Sequence, residues 1–201
     1  SLLVKRLNEN AESSLNGLIK YDSAPYSKKQ PKLTLESVCT AIKSEKIIEE
    51  VDHCMVSVIP NKNDNVTFSL LSLWFQVIQE NADEHWNRKD KTLNLLRSNQ
   101  GFGALLKVFK AVLEELKYQN ILKSISTDQY QVIKTEFKTF ITPILTDVNK
   151  LKTKEEIQAK KRIGEGGKTQ LFHDFLYLIR ELKGKENFGI KYLDFADNPE
   201  I

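Results

Sequence analysis

The chain has 201 residues, with 30 Lys and Arg against 27 Asp and Glu, and a formal net charge of +3. Hydrophobic residues make up 40% of it and charged residues 28%, a composition that excludes an intrinsically disordered chain. The length suits one domain, and no apolar run approaches the ~20 residues that a membrane-spanning helix needs. We therefore expect a single domain over residues 1–201 that makes no membrane contact.

The start of the chain and its cysteines lead to two further expectations. The sequence begins with Ser1 rather than Met, which we interpret as a piece excised from a longer chain. Cys39 and Cys54 are its 2 cysteines, too few for a disulfide framework. The sequence therefore predicts a cytoplasmic protein with reduced thiols.

Helical periodicity begins near the amino terminus. A short helix is predicted over residues 2–8, and residues 15–21 form either a brief strand or an extended segment. Residues 21–31 are typical of a loop, because they combine prolines, serines and Asp. Thr34 is the predicted N-cap of a helix over residues 35–43. At most one short hairpin is expected in this part of the chain.

The central part carries the strongest helical signals. Apolar residues spaced three and four apart predict helices over residues 67–78 and 102–118. The charged segment between them contains Trp86, which we expect to be exposed and available to a partner. A capping box at residues 126–129 opens a third helix, which Pro143 should bend or end because proline lacks an N–H.

The carboxy-terminal part predicts two more helices. A capping box at residues 153–156 starts a polar, basic helix that ends at Gly164. A final amphipathic helix is predicted over residues 169–182, with Gly184 just beyond it. Residues 185–201 are too apolar for a free linker and should pack on the body. The predicted fold class is all-α, a single irregular multi-helix domain.

A glycine-rich stretch, GEGGKT at residues 164–169, is the most suggestive motif. A phosphate-binding P-loop requires another glycine at the position that Arg162 occupies, and it follows a buried strand. The preceding residues are polar and helical, so a flexible link between two helices is the better interpretation. A helix start with Lys168 can still hold a phosphate, including one of a nucleic-acid backbone.

Basic residues concentrate around this stretch. Residues 150–168 contain seven cations and three anions. Two interpretations stay open: contact with nucleic-acid phosphate, and a solvated helix face whose charge serves solubility. For the first, the candidate contact residues are Lys154, Lys160, Lys161, Arg162, Lys168 and Thr169.

Catalytic and metal-binding patterns are weak. His53, His85 and His173 lie far apart, and no second Cys/His pair completes a zinc site. Asp83 and Glu84 precede His85 in a charged loop that lacks a glycine turn, so a cation site there is not favoured. Serine nucleophile elbows and HExxH are absent. We therefore expect no cofactor, no metal and no catalysis by this chain itself.

Several short motifs along the chain resemble those of one protein family. LLVKRLN at residues 2–8 and SSLNGLI at residues 13–19 are similar to the region just after the amino-terminal half of DGQHR-domain proteins. NQGF at residues 99–102, the glycines at 166–167, and Phe188 after the last helix resemble its later part. The resemblance covers most of the chain. The DGQHR motif itself is absent, so the chain would be the carboxy-terminal helical half.

The resemblance implies a prokaryotic protein that occurs with DNA-modification systems such as phosphorothioation. Our first hypothesis is a non-catalytic helical module that supports DNA binding or regulation through its basic residues. The alternative is a protein-interaction or oligomerisation domain, which docks on a partner protein or on the missing amino-terminal half of its own chain.

Overall fold

Helices dominate the computed structural model, which describes residues 2–21, 33–45, 47, 64–82, 85–88, 90, 93–122, 127–161 and 165–192. Within these ranges the α-helices are α1 (Leu2–Glu9), α2 (Leu35–Ser44), α3 (Asp64–Asn81), α4 (Asn99–Tyr118), α5 (Thr127–Val148), α6 (Lys154–Lys160) and α7 (Glu165–Lys183). Two short strands, β1 (Ile19–Lys20) and β2 (Leu33–Thr34), and a 3-10 turn, Ile190–Tyr192, complete the described elements. The all-α prediction is confirmed.

Side-chain caps set the starts of three helices. Thr34 accepts a hydrogen bond from the Ser37 N–H and starts α2, as predicted. Thr153 forms the predicted capping box at the start of α6. The Ser98 hydroxyl accepts from a backbone N–H in the first turn of α4, so this helix begins at Asn99, three residues before the predicted start.

The two strands pair in parallel, with Ile19 opposite Leu33. We expected at most one short hairpin in this part of the chain. A hairpin would need an antiparallel pair of strands joined by a tight turn. Residues 21–32 separate the strands here, and a connection of a dozen residues is long enough to return the chain for parallel pairing. The small sheet therefore differs from a hairpin.

Aromatic side chains of α3, α4 and α5 form the centre of the core. Trp74 of α3 is fully buried. Its ring lies 5.7 Å from that of Phe109 and 5.2 Å from that of Phe137, which ties the three helices together. The apolar spacing predicted for this part of the chain is thus the core stripe of α3.

Helix α5 continues past Pro143 and ends at Val148, so of the two outcomes predicted at Pro143, a bend or an end of the helix, the end is wrong. A proline inside a helix costs about 3 kcal/mol, partly through the lost N–H bond. Ile144 and Val148, beyond the proline, are almost completely buried, and their burial offsets this cost.

None of the helices in the described ranges is long and apolar enough to cross a membrane.

Helices α4 and α7 pack side by side and run in the same direction. Near their amino ends, the aliphatic stem of Lys168 fills the space beside Gly103. At the other end, the Lys185 ammonium, just after α7, lies 2.7 Å from the Glu115 carboxylate near the end of α4. The amino ends of these two long helices therefore share one end of the molecule, and their carboxyl ends share the other.

The chain after α7 folds back on the helices. Gly184 adopts a φ of 61°, a left-handed conformation that favours glycine after a helix end. Phe188 is 3% exposed and stacks on Phe140 with ring centroids 5.2 Å apart. The predicted packing is confirmed for residues 185–192, and residues 193–201 lie outside the described part.

Candidate nucleic-acid interface

The glycine-rich stretch belongs largely to helix α7. This helix begins at Glu165, so Gly166 and Gly167 lie in its first turn and not in the flexible link that we expected. Lys168 and Thr169 follow in the helix, both half-buried. The Lys168 stem packs against α4 at Gly103, a contact that stabilises the helix start despite the two glycines.

The predicted contact residues of α6 differ in their surroundings. Lys154 is exposed, whereas the Lys160 ammonium lies 3.1 Å from the Asp147 carboxylate. Lys161 caps the helix and is half-buried. Burial lowers the pKa of Lys161, and the Asp90 carboxylate offsets part of that lowering. Two of the predicted contacts thus lie beside acids, and Arg162 lies outside the described residues.

A second segment, which carries Arg88, lies close to the chain just before α6. The sequence interpretation did not include this segment among the candidate contacts. The Arg88 guanidinium donates to the carbonyl oxygens of Leu93, at 3.3 Å, and Leu151, at 3.4 Å. The segment that carries Arg88 therefore lies against the chain between α5 and α6. In both hydrogen bonds the acceptor is a backbone carbonyl oxygen. A pattern of side chains in the sequence cannot predict such a contact.

Arg97 is the least expected residue of this region, because it is a cation that is only 6% exposed. Its Nη2 donates to the Arg88 carbonyl at 3.3 Å, its guanidinium lies 6.0 Å from the Trp86 ring, and its Nε has no partner. Burial lowers its pKa, although a guanidinium stays protonated in proteins. No salt bridge joins Arg97 to a carboxylate among the described residues.

Trp86 itself is fully buried, so the prediction that it is exposed is wrong. Its ring packs 6.1 Å from that of Phe75 in α3. The Asn94 amide donates to the Trp86 carbonyl at 3.4 Å and holds the charged segment over the core. His85 is also buried, at 1% exposed.

The weak metal site considered from the sequence gains no support. Asp83, Glu84, His53 and Cys54 lie outside the described residues. Within the described ranges, His, Cys, Asp and Glu form no group of three that could hold a metal ion.

The cations gather at the end of the molecule where α4 and α7 begin. Arg97 directly precedes Ser98, the N-cap of α4, and Lys161 is four residues before the start of α7. Each helix amino end adds a partial positive charge of about 0.5, and parallel helices add theirs at the same place. We define the amino-end surface by its cationic side chains: Arg88, Lys152, Lys154, Lys160, Lys161 and Lys168.

Replacing Arg97 tests whether its charge is uncompensated. We expect Arg97→Met to leave the free energy of unfolding unchanged or to raise it by about 1 kcal/mol, because the substitution removes a buried cation and only one hydrogen bond. Arg88→Met is the matched control: it should cost about 1–3 kcal/mol, because it leaves two carbonyls without their donor. Urea denaturation measures both, and a larger loss for Arg97→Met than for Arg88→Met contradicts the prediction.

The chain matches no protein-family model, no curated protein and no solved structure. The resemblance to DGQHR-domain proteins stays a prediction. The amino-end surface, with its two helix starts and its cations, is accordingly the candidate functional site.

Proposed function

We propose that this chain is a non-catalytic helical module that contacts nucleic-acid phosphate through the amino-end surface. The observation that carries the proposal is the parallel packing of α4 and α7, which places two helix amino ends beside a basic segment. Phosphate groups are attracted both by helix amino ends and by Lys and Arg side chains. The two kinds of positive charge therefore act on the same ligand.

The individual cations contribute unequally to this proposal. Lys152 and Lys154 are exposed and can reach a phosphate directly. Lys160 and Lys161 lie beside acids and contribute less than the sequence predicted. The buried charge of Arg97 is screened little by solvent ions and acts through its field.

The DGQHR resemblance extends the proposal to a biological context. In that context the chain supports or regulates DNA engagement in a prokaryotic DNA-modification system. The cytoplasmic location predicted from the sequence fits this role and is part of the proposal.

Charge reversal at Lys152 and Lys154 tests the proposed contact. We expect the double variant Lys152→Glu/Lys154→Glu to bind a fluorescent DNA duplex at least about tenfold more weakly at low salt, because two phosphate contacts become repulsive. The slope of log affinity against log salt should become shallower by about two, one for each lost contact. Fluorescence anisotropy at several salt concentrations measures both quantities.

A double variant at the other end of the molecule provides the control. Lys117→Glu/Lys138→Glu changes the net charge equally at exposed positions outside the amino-end surface. Its affinity should fall much less, because those positions make no phosphate contact in the proposal. Equal losses in the two variants, or no binding of DNA by the wild-type chain at low salt, would refute the proposed function.

A second candidate function is protein interaction, favoured by apolar side chains at the opposite end. Tyr118 is 85% exposed, Leu182 67% and Ile190 55%. They lie where α4 and α7 end, around the ion pairs Lys185–Glu115 and Lys191–Glu114. Exposed apolar groups that lie together are typical of surfaces that contact other proteins.

Light scattering separates this candidate from the first. If the chain self-associates through these side chains, Tyr118→Ser/Leu182→Ser should convert a dimer to a monomer without changing DNA affinity. A wild-type chain that stays strictly monomeric at high concentration contradicts the self-association through this end.

A further inference from the structure

The described aromatic side chains near the amino-end surface are buried or half-buried. From residue 83 to residue 98 the aromatic residues are His85 and Trp86, and residues 147–170 contain none. His85 is 1% exposed and Trp86 is fully buried. Phe102, in the first turn of α4, and Phe172, in the second turn of α7, are each 1% exposed, and His173 beside Phe172 is half-buried. In the part of the chain that the structure describes, the surface therefore offers charge without a fully exposed ring on which a base could stack.

Single-stranded nucleic acid is normally held by stacking. Proteins that bind single strands combine a positive groove with exposed aromatic side chains, each of which stacks on a base. Duplex DNA keeps its bases stacked on each other and presents a regular array of phosphates to cations and backbone N–H groups. A surface with cations and no exposed ring is suited to the second ligand and poorly suited to the first.

The backbone that carries the exposed Lys152 and Lys154 is also held in place, which favours a ligand with regularly spaced charges. The Thr153–Glu156 capping box fixes the start of α6, and two backbone N–H groups that hydrogen-bond to the Glu156 carboxylate lower its pKa. The Lys160–Asp147 ion pair fixes the other end of this helix. Arg88 fixes the chain between α5 and α6 through Leu151. Because these segments are held in fixed positions, the surface suits a stiff ligand, which loses little conformational freedom on binding, better than a flexible one.

We infer that the amino-end surface binds double-stranded DNA through its phosphate backbone, with little preference for sequence and little affinity for single strands. The inference rests on the proposed function and narrows it to one class of nucleic acid. Binding follows the spacing and number of phosphates, because the described side chains of this surface include none placed to read bases by stacking.

The experiment compares three fluorescent ligands under identical conditions. A mixed-sequence DNA duplex, the single strand of the same length and a polyglutamate peptide are titrated at about 50 mM and about 200 mM salt. We expect the duplex to bind at least about tenfold more tightly than either other ligand. With the two direct contacts, Lys152 and Lys154, the duplex should show a salt slope at least as steep as about −1.8. Two duplexes of unrelated sequence should bind with affinities within a factor of about three.

Tryptophan fluorescence gives a second readout of the same titrations. Trp86 and Trp74 are both buried, so neither should be quenched by stacking when DNA binds. Single-strand affinity equal to or above duplex affinity, or strong tryptophan quenching, overturns the duplex inference and leaves the proposed function standing. Equal affinity for polyglutamate also overturns it, and assigns the surface to acidic protein partners. Absence of binding to both nucleic acids refutes the proposed function and the inference together.

Discussion

Gly101→Ala should prevent α4 from starting where it does and should destabilise the protein by at least about 2–3 kcal/mol. Gly101 lies in the first turn of α4, and a Cβ there would overlap the carbonyl oxygen of Leu95 and stand 2.9 Å from its carbonyl carbon. Both atoms belong to the backbone, which cannot move aside without shifting the segment that carries Arg97. Thermal unfolding followed by circular dichroism measures the loss.

Two other glycines of the same helix pair provide controls. A Cβ at Gly103 would overlap only the stem of Lys168, which is flexible, so Gly103→Ala should cost clearly less than Gly101→Ala. A Cβ at Gly166 would meet nothing within 4 Å, so Gly166→Ala should be neutral or stabilise by about 0.5–1 kcal/mol through helix propensity. Equal destabilisation by all three substitutions would show that backbone overlap is not the cause.

Trp74→Ala is expected to have the largest effect of any single truncation in the core, about 3–5 kcal/mol. Trp74 is fully buried, and its ring touches those of Phe109 and Phe137 on two other helices, so the cavity would open where three helices meet. For a chain of this size the melting temperature should fall by about 2–4 °C per kcal/mol. Differential scanning calorimetry gives this shift directly.

Trp74→Phe separates the loss of volume from the loss of the indole N–H. The Trp74 Nε1 has no hydrogen-bond partner, so replacing it removes an unsatisfied buried donor along with part of the ring. We expect Trp74→Phe to cost less than half of what Trp74→Ala costs. Val132→Ala, at a position that is 51% exposed, should change the free energy of unfolding by less than about 0.5 kcal/mol. A comparable loss at both positions would contradict the core assignment of Trp74.

Local signals were enough to predict most of the helices. The apolar stripe of α3 and the caps at Thr34 and Thr153 act within one or two helical turns, so the sequence displays them directly. Of the two outcomes predicted at Pro143, the helix end failed because the cost of proline is local, whereas the burial of Ile144 and Val148 that offsets it depends on helices distant in sequence.

The candidate site was only partly predictable for the same reason. The basic residues of α6 are visible as a charge cluster, but their acidic neighbours Asp147 and Asp90 are brought close only by folding. Trp86 lies among charged residues, which are typical of exposed segments, and its burial depends on Phe75. A buried Arg97 that has no carboxylate partner among the described residues runs against the general distribution of charged residues and has no signature in the sequence.

The parallel pairing of α4 and α7 has a consequence for how the chain acquires its structure. Residues 119–164 separate the two helices, so their contact closes a long loop and forms late relative to local contacts. Until α7 docks, the side of α4 that it covers, which includes Gly103 and Lys107, lacks part of its cover, and the core lacks the buried Phe172 and Phe175 of α7. Chains that end before Glu165 should therefore aggregate when expressed, and α7 added in trans as a peptide should rescue their solubility.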